Sequence, residues 1–245
     1  MVAADTQHMV SRFLGELTLA DVVTLGNAVI GFIAIVIAPS DPGLAARLIL
    51  LAAVADGLDG VLARQFGGSP IGPYLDSLAD AASFGVAPAV VLYVALAELE
   101  IAGLSSDVVS VLVILVPALF VTLAILRLAV YSAFDITESR TIGAPSTLSA
   151  TIIVTAILTE YWSEPTLLIA GAILSLAMIV PVGYPDLLAR DAVLMGGIHV
   201  LAVAQPAYYG RVFPFALLTL ATLYLIFAPA FYWGESERRL RDATA

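Results

Sequence analysis

The sequence has no cysteine among its 245 residues. Disulfides and thiolate metal sites are therefore excluded, and the redox compartment stays open. It has no lysine either: all 10 basic residues are arginines, set against 20 acidic ones for a net charge of −10. A chain of that sign does not seek nucleic-acid phosphates, and no nucleic acid is expected as a partner. The acidic, lysine-free balance fits a salt-rich cytoplasm, where carboxylates hold surface hydration, or a GC-rich genome that favours arginine and alanine codons. Charge of either sign is scarce, at 12% of residues against 61% hydrophobic. With a mean hydropathy of +1.02, this excludes an ordinary soluble domain. No internal repeat or low-complexity tract interrupts the chain.

Long apolar runs fill the space instead, and runs of about 18 or more residues mean membrane helices. Eight spans are expected, at 18–38, 44–65, 72–97, 107–132, 145–161, 165–183, 191–208 and 212–233, separated by turns rich in Gly, Pro, Asp and Ser. The fold class is all-α: a polytopic integral membrane helical bundle. The first sixteen residues read as a juxtamembrane segment rather than a signal peptide. Arginine placement sets the orientation. With eight spans and a cytoplasmic N-terminus, Arg12, Arg64, Arg127, Arg140, Arg190, Arg238, Arg239 and Arg241 share one side, and only Arg47 and Arg211 lie on the other. That split is what the positive-inside rule asks for. It divides the chain into a cytoplasmic segment 1–17, a transmembrane domain 18–233 and a cytoplasmic tail 234–245, in the cell membrane.

One stretch breaks the apolar pattern: "DGLDGVLARQFGGSPIGPYLDSLAD", residues 56–80, with four aspartates. A carboxylate inside a membrane helix costs several kcal/mol unless something compensates. In the second span Asp56, Asp59, Gly60, Ala63 and Arg64 fall at i, i+3, i+4, i+7 and i+8, on one helical face. In the third span Gly72, Asp76 and Asp80 form a matching stripe, continued by Ser83 and Phe84. A short turn makes the two helices antiparallel neighbours, so the four carboxylates converge in a pocket opening toward the cytoplasm. Together they need cations, and hard divalent ions with oxygen ligands answer: magnesium or manganese, two ions sharing a carboxylate. Such ions take phosphate oxygens as their remaining ligands. Gly60 and Gly72 clear room for a pyrophosphate, and Arg64 at the rim suits phosphate contact. Two other uses of these residues are close helix packing and ion-coupled transport.

The stretch is similar to the signature of the CDP-alcohol phosphotransferases: Asp, two residues, Asp-Gly, two residues, Ala-Arg, a spacer, Gly, three residues, Asp, three residues, Asp. Every fixed position is matched, with seven residues between Arg64 and Gly72. The resemblance implies a six-helix core and commonly a homodimer. It makes Asp56, Asp59 and Asp76 metal ligands, with Asp59 between two ions, and Asp80 a further ligand and the general base. Gly60, Ala63, Arg64 and Gly72 would hold the CDP moiety of an activated lipid, CMP being released. "AASFGVAPA" (81–89), "LGNAVIG" (25–31), "IGAPSTLSA" (142–150) and "PVGYPDL" resemble the phosphatidylserine synthase branch, its archaeal members with isoprenoid ether lipids included. In "LRLAVYSAF" (126–134), "VYS" stands where that branch commonly has Arg-Phe-Asn.

The implied acceptor is L-serine, with glycerol 3-phosphate or inositol phosphate as alternatives. Serine is a small zwitterion whose carboxylate wants a cation, and Arg127 and Arg140 are the candidates. A phosphate acceptor would want a larger basic cluster than this chain carries. Thr24 and Asn27, one turn apart in the first span, are expected at the CDP-lipid, and Ser83 at the acceptor. His199, outside the motif, reads as a packing and hydrogen-bonding residue.

Overall fold

The first described helix begins at a reciprocal cap. The Thr18 backbone N–H donates to Asp21 Oδ2 (2.6 Å), and the Asp21 N–H donates back to Thr18 Oγ1 (3.4 Å). The computed structural model describes residues 17–97, 99–101, 103–135, 140–185 and 189–232. Helix α1 spans Leu19–Ile37 and α2 spans Pro42–Phe66. Asp41 caps α2 by accepting from Leu44 N (2.8 Å), with Pro42 in the first turn, where a missing N–H costs nothing. Gly67, at φ +89°, ends α2 in a conformation that glycine favours.

The third expected span is one continuous rod with three parts. Helix α3 (Gly72–Asp80) passes into a π-helical segment (Ala81–Val86) and then into α4 (Ala87–Ala95). Pro88 has no N–H to give the Phe84 carbonyl, and the wider turn preceding it accommodates that loss. Helix α5 (Ser106–Val130) likewise ends in a π-helical segment, Tyr131–Asp135. Then come α6 (Ser146–Thr159), α7 (Glu164–Ala177), α8 (Ala189–Ala204) and α9 (Val212–Phe231). Among the described residues, eight helical stretches overlap the eight expected places, with ends shifted by a few residues.

Four of them are long and apolar enough to cross a membrane: Leu19–Ile37, Gly72–Ala95, Ser106–Ala133 and Val212–Phe231. Helix α2 has the length, at 25 residues, but carries Arg47, Asp56, Asp59 and Arg64. Helices α6 and α7, at 14 residues each, are about 21 Å long at 1.5 Å per residue. This is a polytopic helical membrane protein, and its outward faces agree: Leu19, Phe32, Val36, Leu78, Ile114 and Phe231 are all exposed.

Helix α6 is the axis of the bundle. Two apolar clusters meet on it, one built with α4, α5 and α7 around Leu92, Phe120 and Ile153, the other with α1, α2 and α8 around Ile49, Leu50 and Val154. Two of its buried hydroxyls are satisfied by its own carbonyls, Thr155 on Thr151 O and Thr159 on Ala156 O, both at 2.6 Å.

The all-α expectation needs one small addition. Residues read as turns pair as a two-stranded antiparallel sheet, β1 (Arg140–Ile142) with β2 (Gly183–Pro185). Gly143, at φ +80°, follows β1, and a Cβ there would run into the Met178 carbonyl. Tyr184 ties the sheet to α9 by donating to Leu225 O (3.1 Å), and Tyr224 OH donates to Pro185 O.

Candidate active site

Asp56, Asp59, Gly60, Ala63 and Arg64 from the last turns of α2, Gly72 and Asp76 from α3, and Thr24 from α1 line one cavity of about 560 Å³. The helical period alone puts the α2 residues on a common face, and the antiparallel return brings α3 against it. Asp80 is one turn beyond Asp76, buried, and outside the cavity lining. Its carboxyl nevertheless meets the others: one oxygen each from Asp56, Asp76 and Asp80 lie within 4.8 Å of one another.

Asp59 stands apart from that trio. Its Oδ2 accepts from Thr24 Oγ1 at 2.5 Å, and it is 5% exposed. Thr24 therefore lines the cavity with its hydroxyl spent on a carboxylate. Asn27 does not line the cavity. It is fully buried, its Nδ2 is 3.5 Å from Asp80 Oδ1, and its Oδ1 has no hydrogen-bond partner among the described residues. Ser83 also turns away: its hydroxyl donates to Asn27 O (3.0 Å), and it packs so closely on α1 that a Cβ at Gly31 would collide with it.

Arg127 is the buried cation of the site. Its Nη1 donates to Ser146 Oγ (3.4 Å), its guanidinium lies 5.2 Å from the Tyr131 ring centroid, and its charge acts on Asp56, Asp76 and Asp80. Arg64 is exposed at the rim. The Arg140 side chain lies outside the described residues, as do Arg12, the first sixteen residues and residues 233–245. His199, far along α8, donates from Nδ1 to Met195 O (2.8 Å), and its Nε2 is 3.5 Å from Thr151 Oγ1. It satisfies its own helix, as read.

The donor chemistry fits a hard divalent cation. Three carboxyl groups converge, and among the described residues one buried arginine, Arg127, acts on them, which leaves excess negative charge there. Asn27 Oδ1 is a further buried oxygen without a partner among the described residues, on a side chain whose Nδ2 is 3.5 Å from Asp80 Oδ1. Gly60 points the same way. A Cβ there would touch no protein atom closer than Arg64 Nη1 at 3.5 Å, so the glycine keeps room for something other than the protein.

Four further groups escape the sequence pattern. Asp21 lines the cavity, but its carboxylate is fully engaged: Oδ2 takes the Thr18 N–H and O–H, and Oδ1 takes the Ser69 hydroxyl at 2.9 Å. Its signal was the Thr-x-x-Asp capping box. Ser77, Tyr131 and Ser132 also line the cavity, with Ser77 Oγ and Ser132 Oγ 2.5 Å apart. Tyr131 and Ser132 fall at the positions where the sequence departs from the branch it resembles.

The family model for CDP-alcohol phosphatidyltransferases matches residues 17–183, which takes in the first six helical stretches and stops before α8 and α9. The chain is 32% identical over 173 residues to the archaetidylserine synthase of Methanothermobacter thermautotrophicus, covering 69% of this chain and 70% of that protein. It is 44% identical over 95 residues to a CDP-diacylglycerol–serine O-phosphatidyltransferase of Mycobacterium tuberculosis, covering 38% of this chain and 30% of that one. To the protein of the same name from Methanocaldococcus jannaschii it is 42% identical over 78 residues, 31% of this chain and 36% of that one.

Proposed function

The chain belongs to the CDP-alcohol phosphatidyltransferase family, and from that premise we propose that it transfers the phosphatidyl-type group of a CDP-activated lipid to the hydroxyl of L-serine. The observation that carries the reading is the convergence of Asp56, Asp76 and Asp80 beside a cavity that Gly60 leaves open. Relatives whose names specify serine supply the acceptor.

In this reading Asp80 takes the proton from the serine hydroxyl. The serine oxygen forms a bond to the lipid-bearing phosphorus, the bond from that phosphorus to the bridging oxygen breaks, and CMP leaves with the electron pair. Asp56, Asp76 and Asp80, with Asp59 on the Thr24 side, would hold two divalent ions, magnesium or manganese. The chemistry such ions supply is neutralisation of diphosphate charge. Gly60, Ala63, Arg64 and Gly72 receive the CDP moiety, with Thr24 steadying Asp59. Asn27 positions Asp80, and Arg127, pinned by Ser146 and Tyr131, attracts the serine carboxylate. The cavity faces the cytoplasm from the cell membrane, residues 1–17 and 234–245 lie on that side, and the protein works as a homodimer. Arginine placement supports the orientation. The two arginines assigned to the other face serve helix ends: Arg47 Nε donates to Val203 O (2.8 Å) and Arg211 Nη1 to Leu158 O (2.7 Å).

The test supplies membranes holding the protein with CDP-diacylglycerol or CDP-archaeol, magnesium or manganese, and labelled serine, glycerol 3-phosphate or inositol phosphate. Serine labelling with stoichiometric CMP is expected. Labelling by glycerol 3-phosphate alone would transfer the chain to another branch.

A further inference from the structure

Ser132 Oγ donates its one proton to Leu128 O, 2.9 Å away in the preceding turn. With that proton placed on Leu128 O, the 2.5 Å contact, in which either hydroxyl can be the donor, is assigned to Ser77 as donor. Both protons are thus used inside the protein, and what the pair presents is lone pairs only: two on Ser77 and one on Ser132. Both residues line the cavity that Asp76 and Asp56 border, and Ser77 is the residue next to Asp76. A surface of acceptors beside carboxylates suits a cationic donor and repels an anion.

We propose that the Ser77–Ser132 hydroxyl pair is the specificity-determining seat for the acceptor's primary ammonium group. This rests on serine being the acceptor, as proposed above, and extends it. The amino acid is read at both ends, its carboxylate by Arg127 on α5 and its ammonium by the hydroxyl pair, while its own hydroxyl is left for Asp80. The pair also works by exclusion. A phosphate-bearing acceptor would bring oxygens against oxygens, with no proton between them. Ser132 stands where the branch commonly has asparagine, whose side-chain carbonyl is likewise an acceptor.

The measurement is KM and kcat for L-serine on the full-length protein in membranes, with KM for CDP-lipid and the inhibition constant of 3-hydroxypropionate, which keeps the hydroxyl and carboxylate and lacks the ammonium. Ser77→Ala should raise the serine KM about ten- to a hundredfold, the worth of a charged hydrogen bond. KM for CDP-lipid and the inhibition constant should stay where they were. Ser132→Asn should hold the serine KM within about threefold of wild type, because an acceptor is restored. Equal rises for serine and 3-hydroxypropionate, or no change for either, overturn the proposal, since the pair then only shapes the wall. If Ser132→Asn misfolds through loss of the Ser132 bond to Leu128 O, Ser77→Ala carries the test alone. A wild-type protein that takes glycerol 3-phosphate and refuses serine removes the serine reading and this seat together. A wild type that takes serine, with Ser77→Ala unaltered in selectivity, removes the seat alone.

Discussion

Gly60→Ala separates folding from function more sharply than any aspartate variant. A Cβ at Gly60 would meet only Arg64 Nη1 at 3.5 Å and Nη2 at 3.9 Å, both at the far end of an exposed, flexible side chain. The protein therefore has no packing reason for glycine in the interior of α2. Alanine there should stabilise the helix by about 0.5–1 kcal/mol, which for a chain of this length raises Tm by roughly 1–4 °C. The same methyl projects into the cavity proposed for CDP. Overpacking of that kind costs about 1–3 kcal/mol, or roughly five- to 140-fold in KM for CDP-lipid. The assay pairs thermal unfolding in detergent with CMP release at saturating serine over a series of CDP-lipid concentrations. A higher Tm with an unchanged KM would refute the reasoning, because nothing would then approach Gly60 during turnover.

Gly31→Ala should do the reverse. Its Cβ would sit 2.8 Å from the Ser83 Cα, a backbone atom that cannot swing aside, so a loss of about 1–3 kcal/mol is expected in thermal unfolding, and an unchanged Tm would show that α1 and the π-helical segment do not press together. Asp80→Asn should lower turnover by about a hundred- to ten-thousandfold, the worth of a positioned general base. CDP-lipid should still bind, and a variant retaining a tenth of its single-turnover rate would dismiss Asp80 from that role. Exhaustive chelation should stop CMP release, and either magnesium or manganese should restore it. Activity that survives chelation would leave the converging carboxylates as a purely structural feature.

The parts of the site that were legible in the sequence are those that helical geometry alone determines. Asp56, Gly60, Ala63 and Arg64 share a face because successive turns stack, and a short antiparallel return brings Gly72 and Asp76 to them, as the cavity lining shows. Contacts between distant segments left no such trace. The pairing of Arg140–Ile142 with Gly183–Pro185 joins three-residue strands about forty residues apart, too short for any alternation to register. Arg47 and Arg211 were counted as charges on the sparse face, and nothing local announced that each would reach a helix-end carbonyl. Ser77 and Ser132 had no pattern at all, being single hydroxyls on different helices.

Ser83 shows where the helical arithmetic stops. Extending the Asp76–Asp80 stripe to it assumed 3.6 residues per turn. The π-helical segment begins at Ala81, directly after the last aspartate, and its wider turn changes the direction in which each later side chain points. Ser83 consequently faces α1 and bonds to Asn27 O, whose own side chain reaches Asp80. The same widening thus ends the polar stripe at Asp80 and closes the rod onto α1 immediately beyond it. With Pro88 as the local reason for the wide turn, the place where the polar stripe ends is set by a proline eight residues beyond the carboxyl proposed as general base.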